Sequence, residues 1–76
     1  MVVIYSDGSI NKDRYLISMY DEFLSERGET LETNEDYIPY TLGNFTYVCI
    51  KESEYNNMSR DDLNIIIKVL NNISRT

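Results

Sequence analysis

The chain has 76 residues, a formal net charge of −6, a single cysteine and neither histidine nor tryptophan. This length supports one domain with a small core. A single cysteine excludes an internal disulfide, and the lack of histidine excludes Ser-His and Cys-His nucleophile pairs. A structural zinc site is not expected either, because there is no thiolate cluster.

No run of residues approaches the roughly 18 consecutive apolar positions of a membrane span. The first residues, 1–7, lack the basic start and long apolar stretch of a secretory signal. Together with the unpaired cysteine, this predicts a cytoplasmic protein that does not bind membranes. The composition favours Ile, Asn and Tyr and lacks Ala, which is typical of AT-rich genomes such as those of low-GC bacteria and their phages.

The N-terminal half predicts a strand followed by a helix. Residues 2–5 are β-branched or aromatic and end at a Ser-Asp-Gly turn. A helical pattern then runs from about residue 11 to residue 27, with Ser9 or Asn11 as its N-cap and Gly28 just beyond its end. Its apolar stripe consists of Tyr15, Leu16, Met19, Tyr20, Phe23 and Leu24.

The middle of the chain predicts a loop and a hairpin. Residues 29–36 are polar and acidic, and two β-prone runs, 37–41 and 45–51, flank the turn residues Gly43 and Asn44. Pro39 cannot donate to a ladder, so the first of these strands should lie at a sheet edge.

Side chains alternate along the second strand of this hairpin. We expect Val48 and Ile50 to meet the helices, so that Phe45, Tyr47 and Cys49 face away from them. These residues are either half-buried at sheet edges, covered by the 29–36 loop, or part of a bare apolar binding surface.

A second helix is predicted to begin after Ser59, which can cap it, and to end near Arg75. Ile65 and Val69 fall outside its apolar stripe, which comprises Leu63, Ile66, Ile67, Leu70 and Ile73. We therefore predict one α+β domain spanning residues 1–76, in the order β-α-β-β-α, with a three-stranded sheet that carries both helices on one face.

One short segment has the form of a catalytic motif. Val3 to Ser9 resembles the first strand of ribonuclease H, a resemblance that would make Asp7 a magnesium ligand. The chain departs from that family because a helix follows at once, and one carboxylate cannot hold the metal pair that such hydrolysis uses. We predict no catalytic residue, no metal site and no cofactor.

The charge is concentrated in one segment. Residues 1–20 and 37–76 are each neutral overall, so the whole net charge lies in residues 21–36, where Arg27 is the only cation. The carboxylates of this segment are Asp21, Glu22, Glu26, Glu29, Glu32, Glu35 and Asp36.

Such a segment repels nucleic acid and attracts a basic surface, which is most often one that binds nucleic acid. Tyr37 and Tyr40 would add aromatic anchors beside the charge. In size and charge the chain is similar to phage DNA-mimic proteins. The sequence therefore predicts a phage-encoded inhibitor that binds a basic nucleic-acid-binding host protein, without binding nucleic acid itself.

Three other interpretations stay open. The carboxylates can simply keep a loop solvated. The chain can be a homodimeric or adaptor domain that works through apolar faces at Phe45/Tyr47 and Ile65/Val69. Least favoured is a small hydrolase that uses Asp7.

Overall fold

The computed structural model of the protein describes residues 1–74. Within them the structure is α+β, the predicted class, with four strands and three helices where the sequence predicted three strands and two helices. None of these helices is long and apolar enough to cross a membrane. The elements are β1 (Val2–Tyr5), β2 (Ile10–Asn11), α1 (Arg14–Glu26), β3 (Tyr40–Leu42), β4 (Phe45–Ile50), α2 (Glu52–Asn57) and α3 (Arg60–Ser74).

The sheet has four antiparallel strands in the order β2-β1-β4-β3, so the predicted three-stranded sheet is wrong. The additional strand is β2, which folds back on β1 so that Ile4 pairs with Ile10 on one side and with Val48 on the other. β2 has only two residues, too few for an alternating pattern to be visible in the sequence.

The two long helices cover opposite faces of this sheet. The Tyr47 hydroxyl donates a hydrogen bond to the backbone carbonyl of Leu16 in α1 (2.8 Å). The next residue along β4, Val48, lines a cavity with Ile66 and Leu70 of α3. Because successive strand residues point to opposite faces, α1 and α3 lie on different sides, and the predicted packing of both helices on one face is wrong.

The sheet has a helix on each face because β4 is buried from Thr46 to Ile50. A strand that is apolar on both sides needs a layer against each of them. Tyr47 is completely buried and Cys49 nearly so, and the Tyr47 ring lies 5.8 Å from that of Tyr20 in α1. The expected second face of Phe45, Tyr47 and Cys49, turned away from the helices, is therefore the face that α1 covers.

Helix α1 begins one turn later than the sequence suggested. Asp13 is its N-cap, and the Asp13 carboxylate accepts hydrogen bonds from the backbone N–H groups of Tyr15 (2.9 Å) and Leu16 (3.3 Å). The predicted caps, Ser9 and Asn11, are wrong because the chain first returns along β1 as β2.

The end of α1 matches its prediction. Gly28 adopts a φ of +75°, the left-handed conformation that glycine tolerates. The N–H of Gly28 donates to the carbonyl of Ser25 (3.1 Å), and that of Glu29 donates to Leu24 (2.9 Å). These two bonds form a Schellman motif, which ends the helix and directs the chain into the acidic segment.

Helix α3 begins as predicted, with the Ser59 hydroxyl accepting a hydrogen bond from the backbone N–H of Asp62 (3.1 Å). Its predicted buried stripe is only partly buried. Leu70 is in the core, whereas Leu63, Ile66 and Ile67 are half-buried and Ile73 is exposed. The predicted position of Arg75 lies outside the described residues.

The hairpin is a two-residue turn, because Leu42 pairs with Phe45 and Gly43 has a φ of +61°. As expected from Pro39, β3 is an edge strand, although it begins at Tyr40 and leaves residues 37–39 outside it. β3 pairs only with residues 45–47 of β4. The segment before β3 lies near the rest of β4, because Glu32 forms an ion pair with Lys51, and Tyr37 lines a cavity with Val48.

Candidate acidic binding surface

The acidic connection between α1 and β3 is anchored to the core near its centre. The Tyr20 hydroxyl donates to the carbonyl of Ile38 (2.6 Å) and accepts a hydrogen bond from the Asn34 side-chain amide (2.8 Å). Burial raises the pKa of Tyr20 well above its usual range, so this hydroxyl stays protonated. The predicted loop is therefore anchored to α1 through Asn34 and Ile38.

Helix α1 carries three of the seven predicted site carboxylates, Asp21, Glu22 and Glu26, all exposed. Glu22 and Glu26 lie on consecutive turns and are neighbours on one flank. At 3.6 residues per turn, Asp21 is rotated by about 140° from Glu26 around the helix axis. The helix therefore brings Glu22 and Glu26 together and places Asp21 on the other flank.

The other four carboxylates follow in the connection. Glu29 is half-buried, whereas Glu32, Glu35 and Asp36 are exposed. Glu32 forms an ion pair with Lys51, at 3.4 Å between Oε2 and Nζ.

In the part of the chain that the structure describes, the other six of the seven make no ion pair. Arg27, the only cation of the segment, instead lies over the ring of Phe23 at 5.7 Å. Among residues 1–74, most of the negative charge of this segment is consequently without an ion-pair partner.

The two predicted aromatic anchors are on different sides of the sheet. Tyr40 stacks on Phe23 of α1, with 4.6 Å between ring centroids, and meets Tyr47 edge-on at 5.7 Å. Tyr37 instead shares two cavities with Ile65 and Ile66 of α3. Tyr40 is thus part of the aromatic packing under α1, and only Tyr37 stands beside exposed charge.

Tyr37 has a backbone conformation that its residue type rarely adopts, with φ +50°. In the left-handed region a non-glycine residue costs about 1–2 kcal/mol. Its hydroxyl donates to the Glu54 carboxylate (2.6 Å) and holds the ring against α2. This hydrogen bond, with desolvation and the charges of nearby carboxylates, raises the pKa of Tyr37 to about 12.

Two carboxylates beside Tyr37 were not predicted as site residues. Glu54 of α2 and Asp62 of α3 line one cavity with Tyr37, and Asp36 lines the adjoining one. Counting charge along the sequence did not reveal them, because residues 37–76 are neutral overall. In the sequence, both residues stand in the first turn of a helix. Acidic residues there ordinarily indicate a favourable interaction with the helix dipole, so their position did not indicate a binding site.

The surroundings of Cys49 and Asp7 indicate structural roles for both residues. Burial raises the pKa of the Cys49 thiol to about 12. The Asp7 carboxylate accepts hydrogen bonds from the N–H (2.9 Å) and hydroxyl (2.6 Å) of Ser9, which lower its pKa and close the β1–β2 turn. Among residues 1–74, no three His, Cys, Asp or Glu side chains are grouped so that they could hold a metal ion.

Comparison of the chain with protein-family models, with curated proteins and with solved structures finds no match. Its function is accordingly inferred from its own residues. The features that enter the inference are the unpaired carboxylates of α1 and the connection, and the acidic cavities beside Tyr37.

Proposed function

We propose that the protein is a small, non-enzymatic acidic binding protein that occupies the basic nucleic-acid-binding surface of another protein. The observation that carries the proposal is the lack of an internal cation partner for six of the seven carboxylates of residues 21–36 in the described structure. The hydrogen bonds of Tyr20 with Asn34 and Ile38 support it further, because they fix the segment that displays four of these groups.

The mechanism is imitation of a phosphate backbone. Exposed carboxylates on a fixed scaffold attract a groove lined by lysine and arginine and speed the encounter with it. Direct binding to DNA or RNA is disfavoured by the same charges, because phosphate contacts dominate nucleic-acid recognition. In a cell infected by a phage that encodes the protein, it acts as an inhibitor of a host nucleic-acid-binding protein in the cytoplasm.

The test is capture from a bacterial lysate on the immobilised protein, with the bound proteins identified by mass spectrometry. The expected partner binds duplex DNA, is displaced from the immobilised protein by that DNA, and is retained less well as salt is raised. A variant with Glu22→Gln, Glu26→Gln and Glu29→Gln is expected to bind it about tenfold or more weakly.

The matched control has the same net charge but changes a different part of the surface. Asn44→Lys, Asn72→Lys and Ser74→Lys also add three positive units to the parent charge of −6. All three positions are exposed, at the hairpin turn and the end of α3. Equal binding by the parent and the glutamine variant would refute the proposal, as would equal weakening by both variants.

The second candidate function is a homodimeric or adaptor domain. The observation that favours it is the exposure of Ile65 (60%) and Val69 (46%) on α3. The Phe45/Tyr47 face is covered by α1 and is not open to a partner. Sedimentation tests it: a dimer that is insensitive to salt and lost in Val69→Asp supports this candidate, and a monomer at all concentrations argues against it.

A further inference from the structure

A continuous groove runs along α3 between this helix, α2 and the end of the acidic connection. It consists of two cavities, of about 490 Å³ and 230 Å³, that share Tyr37, Ile65 and Ile66. We refer to these two cavities as the Tyr37 groove. Together they extend over two turns of α3, from Asp62 to Leu70.

The Tyr37 groove has an apolar side. Ile65 and Val69 lie one helical turn apart and are 60% and 46% exposed, so they form a stripe that the domain does not use for its own core. Ile66, Leu70 and Val48 lie deeper in the same cavity and connect this stripe to the core. An occupant with apolar side chains would therefore bury surface here that water now covers.

The Tyr37 groove is also acidic. Asp36, Glu54 and Asp62 line it, and no lysine or arginine is among the described residues that do so. The Tyr37 ring forms a wall between these carboxylates, fixed by its hydrogen bond to Glu54 and by its left-handed backbone. The cavity is thus built from an apolar helix stripe, one aromatic wall and three carboxylates.

This combination selects the occupant by charge. A nucleic acid or an anionic lipid surface would bring phosphates against three carboxylates. A second copy of the chain would bring its own net charge of −6 and the same acidic groove. A segment that carries lysine or arginine around apolar anchors satisfies both the stripe and the carboxylates.

We infer that the Tyr37 groove binds a cationic amphipathic segment of a partner protein, with its apolar side chains on Ile65 and Val69 and its cations at Asp36, Glu54 and Asp62. The inference rests on the proposed function, because it identifies the part of a basic partner that gains apolar contact as well as charge. Electrostatic attraction alone gives fast but weak association, and apolar anchors in a groove are what prolong a complex.

The test uses a synthetic helical peptide as the probe. The peptide has one tryptophan and one leucine a turn apart on one face and lysines on its flanks. Because the protein contains no tryptophan, the emission of the peptide reports its own burial. We expect a blue shift on mixing, none with a peptide whose lysines are replaced by glutamate, and a smaller one when tryptophan and leucine are on opposite faces.

Groove variants locate the site. The double change Ile65→Ser and Val69→Thr alters only exposed side chains and is expected to weaken peptide binding about tenfold, as is Asp62→Asn combined with Glu54→Gln. The control is Tyr15→Ser, which removes a 66% exposed aromatic side chain on α1, across the sheet, and is expected to bind the peptide like the parent. Thermal unfolding of each variant shows whether it keeps the fold.

The outcomes separate this inference from the proposed function. If the groove variants bind the peptide like the parent, or if no blue shift occurs, the groove inference is overturned, while the capture experiment with the glutamine variant still decides the proposed function. A concentration-dependent dimer that Val69→Thr abolishes would assign the groove to a second copy and overturn the inference as well. A blue shift lost in the groove variants but unchanged in the variant with Glu22→Gln, Glu26→Gln and Glu29→Gln supports it independently.

Discussion

The Tyr20 hydroxyl joins helix α1 to two residues of the acidic connection, Asn34 and Ile38. It donates to the carbonyl of Ile38 and accepts from the amide of Asn34, while Asn34 Oδ1 accepts a hydrogen bond from the Ile38 N–H (3.4 Å). Asn34 is buried, although it belongs to the most polar segment of the chain. These bonds attach the acidic connection to α1 through one core tyrosine, and we expect the attachment to depend on its hydroxyl.

Replacing this tyrosine tests that dependence. Tyr20→Phe leaves the buried Asn34 amide and the Ile38 carbonyl without their partner, and we expect the free energy of unfolding to fall by about 1–3 kcal/mol. Urea unfolding measures the loss, and hydrogen exchange at the Ile38 amide should become faster. Tyr15→Phe is the control: its side chain is 66% exposed, and a loss as large as that of Tyr20→Phe would contradict this explanation.

Single residues of the site were predictable only in part. The exposure of Glu22, Glu26, Glu32, Glu35 and Asp36 follows from their charge, because isolated carboxylates are rarely buried. The separation of Tyr37 from Tyr40 agrees with the predicted 37–41 strand, because strand residues three positions apart point to opposite faces. The left-handed conformation of Tyr37 was not predictable, because glycine, asparagine, aspartate and histidine are the residue types that favour such a conformation.

At the level of elements, strand β2 and helix α2 were not predicted from the sequence. Strand β2 has two residues, and the six-residue helix α2 has a polar sequence, ESEYNN, with no fully buried residue. Neither has a hydrophobic period of its own. Pairing with β1 holds β2, and the bonds of Tyr37 to Glu54 and of Lys12 to Glu52 hold α2. Ser59, Gly28 and Gly43 were assigned correctly, because capping and tight turns depend on the local chemistry of single residues.

The faces of β4 show how the layering could have been recognised. The alternation of Val48 and Ile50 with Tyr47 and Cys49 predicted one face under the helices and a second face that the helices do not cover. Since side chains on both sides of the strand are apolar, the run indicates a strand with a layer on each face. The structure has that arrangement, with α1 over Tyr47 and α3 over Val48.

The start of α1 gives an element-level prediction. Asp13→Ala removes the carboxylate that accepts from the N–H groups of Tyr15 and Leu16, and we expect a loss of stability of about 0.5–2 kcal/mol. Asp13→Asn keeps an accepting oxygen and should lose distinctly less. Urea unfolding followed by circular dichroism compares them; equal losses in both variants would mean that the charge, and not the cap hydrogen bond, stabilises the helix.

At the scale of the whole molecule, the two candidate surfaces lie on different sides of the sheet. Glu22 and Glu26 belong to α1, whereas the Tyr37 groove lies against α3. The connection joins them at the edge of β4 that β3 leaves unpaired, because it is bonded to Tyr20 of α1 and its Asp36 and Tyr37 line a cavity with Val48. A partner that engages both surfaces must therefore reach around this edge, which suits an extended basic groove better than a flat patch.

Three buried groups and the hydrogen-bonded Tyr37 predict that alkali destabilises the domain. Burial raises the pKa values of Cys49, Tyr20 and Tyr47, and the hydrogen bond to Glu54 raises that of Tyr37. A group with a higher pKa in the folded state keeps its proton there after the unfolded chain has lost it. The stabilisation that these groups contribute is therefore fully present below the pKa values that they have in the unfolded chain. It is lost as the pH rises from those values to the pKa values of the folded protein.

We expect the free energy of unfolding to be nearly constant from pH 7 to about pH 8.5, where an unfolded thiol begins to ionise, and to fall more steeply above about pH 10, where unfolded tyrosines follow. Urea unfolding at several pH values measures this, in high salt so that the growing net negative charge is screened. Cys49→Ala is expected to be less stable throughout because of the cavity, but its stability should stay level until the tyrosines titrate, since the thiol no longer contributes. A stability that is unchanged between pH 8 and pH 11 would show that these four groups are as accessible to water in the folded protein as in the unfolded chain, in contradiction to the packing of α1 on β4.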